Sequence, residues 1–267
     1  MKLTRTHIVT IIILTLIIIG GGAFFFFPHA ATAPVAVSTN TATTSDISTS
    51  DTSGVVHKNG YTIEQVPINI LDEMPNPSRT IQFGASVPTE IRAVLSAHVT
   101  EIAAAIKKDP TNAGNWFDLA IQYHTADDFD GARAVWEGLV KLLPKDTVSL
   151  GNLGRLYEFD LHDFAKAESY FKQALAVAPK ETTFYIELHE LYAHSYKVGT
   201  GANIAIAKQG VAMFPNSTDF YVYAGDDYLA QGDTKNARSY YEQAMSIART
   251  EGNTNLMTAI GQKLQSL

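Results

Sequence analysis

The sequence of 267 residues contains no cysteine. This excludes disulfide bonds, thiol catalysis and thiolate metal sites. Basic residues are also few, because 20 lysines and arginines stand against 27 aspartates and glutamates, for a net charge of −7. Lys2 and Arg5 alone supply the charge of the first 28 residues, so the rest of the chain is more acidic still. Such a chain lacks the basic surface that nucleic acids require, and we expect no nucleic-acid partner.

Charge is also absent from Ile8 to Phe27, a stretch composed mostly of Ile, Leu, Val and Phe. As a helix it would span roughly 30 Å, the thickness of a hydrocarbon core. It is longer than the apolar part of a typical secretory signal. The best cleavage site, Ala31-Thr32-Ala33, is followed by Pro34. We therefore predict that residues 1–28 form an uncleaved transmembrane anchor, with a cleaved signal as the alternative.

Basic residues flank only one side of this stretch. Lys2 and Arg5 precede it, and the next lysine or arginine is Lys58. The positive-inside rule leaves the N-terminus in the cytoplasm and exports the rest of the chain. We predict a single-pass membrane protein whose folded domain is extracytoplasmic.

Two segments of different composition follow. Residues 29–54 are rich in Thr, Ser and Ala and poor in large apolar groups, which predicts a disordered linker. Residues 55–88 alternate in β fashion at Tyr61-Thr62-Ile63 and from Arg79 to Phe83, but four prolines interrupt them. We interpret residues 55–88 as an extended arm packed on the following domain, with a docking segment for a partner as the alternative.

From residue 89 onward, apolar residues recur with helical spacing and the pattern repeats. Prolines close successive units at positions 110, 144, 179 and 215. The units carry large apolar, small and tyrosine residues in a shared order: Trp116, Leu119, Ala120, Tyr123, Ala132, Trp136 and Leu139; Leu150, Leu153, Gly154, Tyr157, Ala167, Phe171 and Ala174; Tyr185, Leu188, His189, Tyr192, Asn203, Ala207 and Gly210; Tyr221, Ala224, Gly225, Tyr228, Ala237, Tyr241 and Ala244.

This pattern resembles the tetratricopeptide repeat (TPR) family. The resemblance implies an all-α fold, an α-solenoid of about four helix pairs plus flanking helices, over residues 89–267. Small residues would lie where paired helices approach closely, and aromatic residues would fill the wedges between them. His98, Ile102 and Ala105 fit the second half of an earlier unit, and Asn255–Leu267 reads as a closing helix.

The third unit departs most from the family pattern. His189 and Asn203 replace two small residues, and an irregular turn is added from Tyr196 to Gly201. We expect a local distortion at this unit.

In the TPR family the first helix of each unit lines a concave groove. The resemblance places the protein-binding positions at Phe117, Ile121, His124, Asn152, Arg155, Glu158, Glu187, Glu190, His194, Tyr223 and Asp226. Family members that grip a C-terminal carboxylate use Lys and Asn where this sequence has Phe117 and Ile121. We predict instead a partner helix or extended peptide with apolar anchors near these two residues and positive charge near Glu190 and Asp226.

Two features could indicate chemistry. His189-Glu190 and His194 resemble a zinc-peptidase motif, but a spacing of five turns the second imidazole by roughly 140° around a helix. We expect packing or groove-lining roles for these histidines. The acid pairs Asp127-Asp128 and Asp226-Asp227 are expected to be helix caps and solvated faces. With no phosphate loop or convincing catalytic triad, we predict no enzymatic activity, no metal and no cofactor.

Together these features predict a membrane-tethered TPR scaffold that mediates protein–protein interactions in an extracytoplasmic complex. A zinc-dependent hydrolase using His189, Glu190 and His194 is one alternative, and a self-assembling structural spacer is the other.

Overall fold

A computed structural model describes residues 55–58, 61–64 and 72–267. The predicted anchor and linker, residues 1–28 and 29–54, lie outside these ranges. None of the helices within the ranges combines the length and the apolar character that a bilayer crossing requires. The chain divides into two units, Met1–Gln65 and Val66–Leu267, which are described separately.

The described part of the first unit is a β-hairpin. Strands β1 (Val55–Lys58) and β2 (Tyr61–Glu64) are antiparallel, with Val55 opposite Glu64 and Lys58 opposite Tyr61. The two intervening residues in the sequence are Asn-Gly, the pair most favoured between hairpin strands. The interpretation of residues 55–88 as one extended arm, and of the fold as entirely helical, omitted this hairpin.

The described residues of the second unit form ten α-helices. These are α1 (Thr89–Lys108), α2 (Ala113–Thr125), α3 (Phe129–Leu142), α4 (Thr147–Arg155), α5 (Phe164–Val177), α6 (Thr182–Glu190), α7 (Ala202–Met213), α8 (Thr218–Ala230), α9 (Thr234–Glu251) and α10 (Thr254–Gln265).

Consecutive helices pack as four pairs, α2 with α3 through α8 with α9, and α1 and α10 flank them. The predicted helical solenoid is confirmed. Each of the four prolines stands two residues after the last residue of a helix. The backbone oxygens of three of them accept hydrogen bonds from an aromatic side chain six residues later: Trp116 (2.9 Å), Tyr185 (3.1 Å) and Tyr221 (3.2 Å).

Close approach of small and aromatic residues holds the pairs together. A Cβ atom on Gly154 would overlap the buried ring of Phe171, and one on Gly225 would overlap the ring of Tyr241. In the third pair the larger residue lies on the first helix instead of the second. His189 stands at the position of Gly154, and Ala207 stands at the position of Phe171. Both residues are buried, so the exchange preserves dense packing.

Helix α1 packs differently from the prediction. It buries Leu95, Val99, Ala103 and Ile106, whereas His98, assigned to a small close-contact position, is exposed. His98 corresponds to the small residues Ala132, Ala167 and Ala237, each of which is buried on the second helix of a pair. A residue at this position is buried when a first helix of the same pair packs against it. No α-helix precedes α1 within the described residues 72–88.

Helices α4 and α6 both continue into π-helical turns, Leu156–Asp160 and Leu191–Ser195. The distortion expected in the third pair is present, and the second pair shares it. A π turn accommodates one extra residue. The sequence contains this signal: the tyrosine and the following small position are nine residues apart in units one and four, but ten and eleven apart in units two and three.

Residues 72–88 lie along α2 and α3. Ile81 and Val87 are buried. The Glu73 carboxylate accepts a hydrogen bond from Lys141 Nζ at 2.7 Å. The backbone N–H of Gly84 donates to the Ala126 carbonyl at 2.9 Å. The segment therefore fastens to the first helix pair at several points, and we call it the docked arm.

Two glycines on α3 admit the docked arm. A Cβ on Gly131 would overlap the guanidinium of Arg79, and one on Gly138 would meet the sulfur of Met74. The equivalent positions of the second unit are Lys166 and Gln173, and those of the fourth unit are Asn236 and Gln243. Gly131 and Gly138 are seven residues apart and therefore lie on one face of the helix. This pair of glycines indicates in the sequence where the arm packs.

Replacing Gly154 by Ala should lower the free energy of unfolding by about 1–3 kcal/mol, because the added methyl overlaps the Phe171 ring. Gly261→Ala is the control, since its Cβ makes an ordinary 3.8 Å contact, and better helix propensity should stabilise it by up to about 1 kcal/mol. Urea unfolding followed by circular dichroism measures both. Equal effects of the two variants would contradict the packing described here.

Replacing Gly138 by Gln, the residue found at this place in the second unit, should displace Met74 and release the docked arm. Amide hydrogen exchange of residues 72–88 should accelerate about tenfold or more while the helices keep their protection. Gln173→Gly, on a helix that carries no described arm, is the matched control. Unchanged exchange in the Gly138 variant would show that the glycines do not admit the arm.

Candidate functional site

Hydrogen bonds join successive first helices on the side where the predicted contact residues lie. His124 Nε2 of α2 is 3.0 Å from an oxygen of Asp160, in the turn after α4. Arg155 of α4 donates to Glu187 of α6 at 2.7 Å. His189 of α6 lies 2.9 Å from Asp227 of α8. We call this side of α2, α4, α6 and α8 the groove face.

The apolar end of the groove face consists of Phe117 and Ile121. They are one helical turn apart on α2, and both are half-buried against the core. His124 follows on the same helix, with its ring 5.6 Å from that of Phe129. The predicted residues at this end are therefore neighbours, and the two apolar side chains keep part of their surface accessible.

The middle of the groove face is charged. Arg155 Nε and one terminal nitrogen both donate to Glu187 Oε1, at 2.7 and 2.5 Å. Asn152, one turn earlier on α4, is half-buried. Glu158 lies in the π turn that follows and is only 3% exposed.

The Glu158 carboxyl is poorly compensated. One oxygen accepts a 3.4 Å hydrogen bond from Ser195 Oγ, and the other is buried and accepts no bond from any described residue. Burial, and next repulsion from Glu187, raise the pKa of Glu158 to about 7. The protein therefore holds a carboxyl on this face that exchanges its proton near neutral pH.

A buried polar network replaces the usual small residues in the third pair. Asp227 lies against His189 and also accepts a 2.7 Å hydrogen bond from Asn203 Nδ2. The His189 ring stacks on Tyr223, with centroids 4.5 Å apart. Sequence reasoning missed Asp227. The sequence did contain a signal. His189 and Asn203 are polar residues at two positions that are small in the other units, and such a pair indicates a common polar partner.

His194 is joined to this network through Glu190, whose Oε1 lies 3.7 Å from His189 Nδ1. The His194 side chain is 71% exposed, and its Nε2 is 3.2 Å from Glu190 Oε2. The zinc alternative requires His189 and His194 to converge on one ion, but His189 is buried against Asp227. No group of three or more His, Asp or Glu side chains in the described part of the chain is arranged to hold a metal.

The acidic end of the groove face is partly neutralised within the chain. Asp226 accepts hydrogen bonds from Tyr241 (2.5 Å) and from Lys263 Nζ of α10 (2.6 Å). The closing helix thus supplies a cation that the sequence reasoning did not assign to this place. Of the two positions expected to meet positive charge from a partner, Glu190 lies beside histidines, whereas Asp226 already has a lysine.

The acid pairs were expected to be helix caps and solvated faces. The cap role is confirmed for Asp128, but Asp128 and Asp227 are both buried and are not part of a solvated face. Asp128 caps α3 by accepting from the backbone N–H of Gly131, and it also pairs with Arg79 of the docked arm at 2.5 Å. A cleft of about 600 Å³ adjoins this pair. Its lining shares no residue with the predicted groove contacts.

Comparison with known proteins supports the repeat assignment. The family model for the tetratricopeptide repeat matches residues 149–183 and 225–254. The first segment runs from α4 to the start of α6, and the second runs from α8 to the first residue of α10. A search of curated proteins found no match to the sequence.

Several solved structures resemble this chain at low identity. MamA is 17% identical, with a TM-score of 0.47, over 64% of this chain and 99% of that one. MamA residues 41 to the end, from Desulfovibrio magneticus RS-1, is 15% identical, with a TM-score of 0.44, over 60% and 94%. YrrB, a TPR protein with an unusual peptide-binding site, is 13% identical, with a TM-score of 0.32, over 60% and 97%.

The raised pKa of Glu158 makes stability depend on pH. Between pH 4.5 and 7 the unfolded carboxyl loses its proton while the folded one keeps it, so the stability of the fold falls as pH rises. The Glu158→Gln variant has no titrating carboxyl at this position, so its stability lacks this dependence on pH. The free energy of unfolding of this variant should equal that of the parent near pH 4 and exceed it by about 3 kcal/mol at pH 8.

Urea unfolding at pH 4, 6 and 8 measures this difference, with exposed Glu242→Gln as the control. A Glu158→Gln variant that is less stable than the parent at pH 8 would contradict the raised pKa described here.

Proposed function

We propose that this chain is a membrane-tethered scaffold that holds a protein partner on the groove face. The family match to a protein-binding repeat supports the general role. The observation that carries the proposal is the pairing of an accessible apolar end at Phe117 and Ile121 with an acidic middle at Glu187 and Glu190 on one face.

Such a face suits a helical or extended segment. Apolar anchors of the partner would cover Phe117 and Ile121, and positive charge further along would meet Glu190. Rigid hydrogen bonds between the first helices support this use, because a preorganised face loses little conformational freedom on binding.

The location of the scaffold is also a proposal. Residues 8–27 would cross the membrane, and residues 29–54 would give the helical unit reach beyond it. The distribution of Lys2, Arg5 and Lys58 supports an extracytoplasmic helical unit. The complex in which it works would then lie outside the cytoplasm.

Peptide capture tests the scaffold role directly. The full chain, held in non-ionic detergent, is used to select from a displayed library of random 12-residue peptides. Changing Phe117 and Ile121 together to Ser should weaken binding of the selected peptides at least tenfold, because both apolar anchor sites are lost.

The control changes Val177 and Met213 to Ser, since both are exposed apolar residues at the ends of second helices, away from the groove face. If no peptide is selected, or if both double variants lose peptide binding equally, the groove face is not the binding surface. Light scattering on the same samples would reveal self-association, the outcome expected of a structural spacer.

A further inference from the structure

Helix α10 has the residue pattern of a first helix. Met257, Ile260, Gly261 and Leu264 have the spacing of the four pattern residues on α2, α4 and α8, where the third of the four is also small. Helix α10 begins three residues before the first of them, as those helices do. It packs on α9 and buries Ile260. The fourth pair is therefore followed by the first half of another unit.

Gly261 differs from the pattern glycines of the second and fourth pairs. A Cβ on Gly154 or Gly225 would overlap an aromatic ring of the paired second helix, whereas a Cβ on Gly261 would meet the Met245 side chain of α9 at 3.8 Å. Glycine inside a helix is less favourable than alanine. No contact within the described part of the chain requires a glycine here, and the position has room for a side chain from another helix.

Helix α1, at the other end of the stack, has the residue pattern of a second helix. His98, Ile102 and Ala105 have the spacing of three pattern residues that are fully buried on α3, α5 and α9. On α1, His98 is exposed, and Ile102 and Ala105 are half-buried. This face of α1 is the side on which the other second helices contact their first helix, so it is the second half of a unit.

We propose that a second copy of this chain completes both halves, so that α10 of one copy and α1 of the next form one intermolecular helix pair. Ile102 of one copy then lies over Gly261 of the other, as Phe171 lies over Gly154 within the second pair. Each copy offers one face and receives the other. The association is therefore head-to-tail and open-ended.

The charges at the ends of these two helices suit the same arrangement. Helices joined by a short turn run antiparallel, so a pair of this kind places the last turn of α1 beside the start of α10. Lys107 and Lys108 end α1, and Glu251 precedes α10. All three are exposed. Opposite charges that meet in this way favour the head-to-tail register over a contact between two identical ends.

This inference is independent of the proposed scaffold role. The contact uses α1 and α10, whereas the predicted groove contacts lie between α2 and the end of α8. A row of copies would present its groove faces side by side. A partner that carries repeated binding segments would then be held by several weak contacts at once.

Light scattering of the full chain in non-ionic detergent tests the contact. As the concentration rises from about 1 to 200 µM, the mass of the parent should increase to more than about twice that of one chain. Gly261→Trp fills the space proposed for Ile102, and His98→Trp adds bulk to the opposite face, so each variant alone should stay monomeric.

Mixing the two variants in equal amounts is the decisive step. Each supplies the intact face that the other lacks, so the mixture should form dimers and grow no further. A contact between two identical ends would not give this result. Gln173→Trp is the control for an added surface tryptophan, since Gln173 is exposed on α5 in the middle of the stack, and it should associate like the parent.

Circular dichroism should show unchanged helix content in all three variants. Because His98 is exposed, His98→Trp decides the outcome even if the bulk at Gly261 loosens α10. A monomeric parent, variants that associate like the parent, or a mixture without dimers would overturn the head-to-tail contact. Peptide capture reports on the groove face separately. Head-to-tail association without capture of any peptide would support the structural spacer instead of the scaffold.

Discussion

The contact between a small residue on one helix and an aromatic ring on its partner is the constraint on which this stack depends. Gly154 against Phe171 and Gly225 against Tyr241 leave no room for a Cβ atom. The close approach aligns the paired helices, and the aligned first helices form the groove face. Since one pair cannot bury its own apolar side, the stack needs its neighbours, and α10 closes it with Ile260 buried.

Departures from this contact create the polar features of the groove face. In the third pair the larger residue moves to the first helix as His189, and Asp227 of the next pair meets it. Extra residues in the second and third units produce π turns. One of these turns carries Glu158 into a buried setting beside α6. Thus an insertion that the stack tolerates structurally also produces a buried carboxyl with few hydrogen-bond partners.

Periodicity was sufficient to predict the helix pairs, their order and the proline stops, because these follow from local spacing. The polar contacts were harder to predict. Whether Asp128 is solvated or buried depends on Arg79, 49 residues away, and the partner of Asp226 is Lys263 of α10. Long-range pairs of this kind leave weak marks, such as the Gly131 and Gly138 pair, which gain meaning only when units are compared position by position.

Amide hydrogen exchange of the full chain, with and without a peptide selected on it, tests the central claim that the first helices form the binding face. Our account predicts added protection in α2, α4 and α6 and little change in α3, α5 and α7. Added protection confined to the second helices, or to the docked arm, would contradict it.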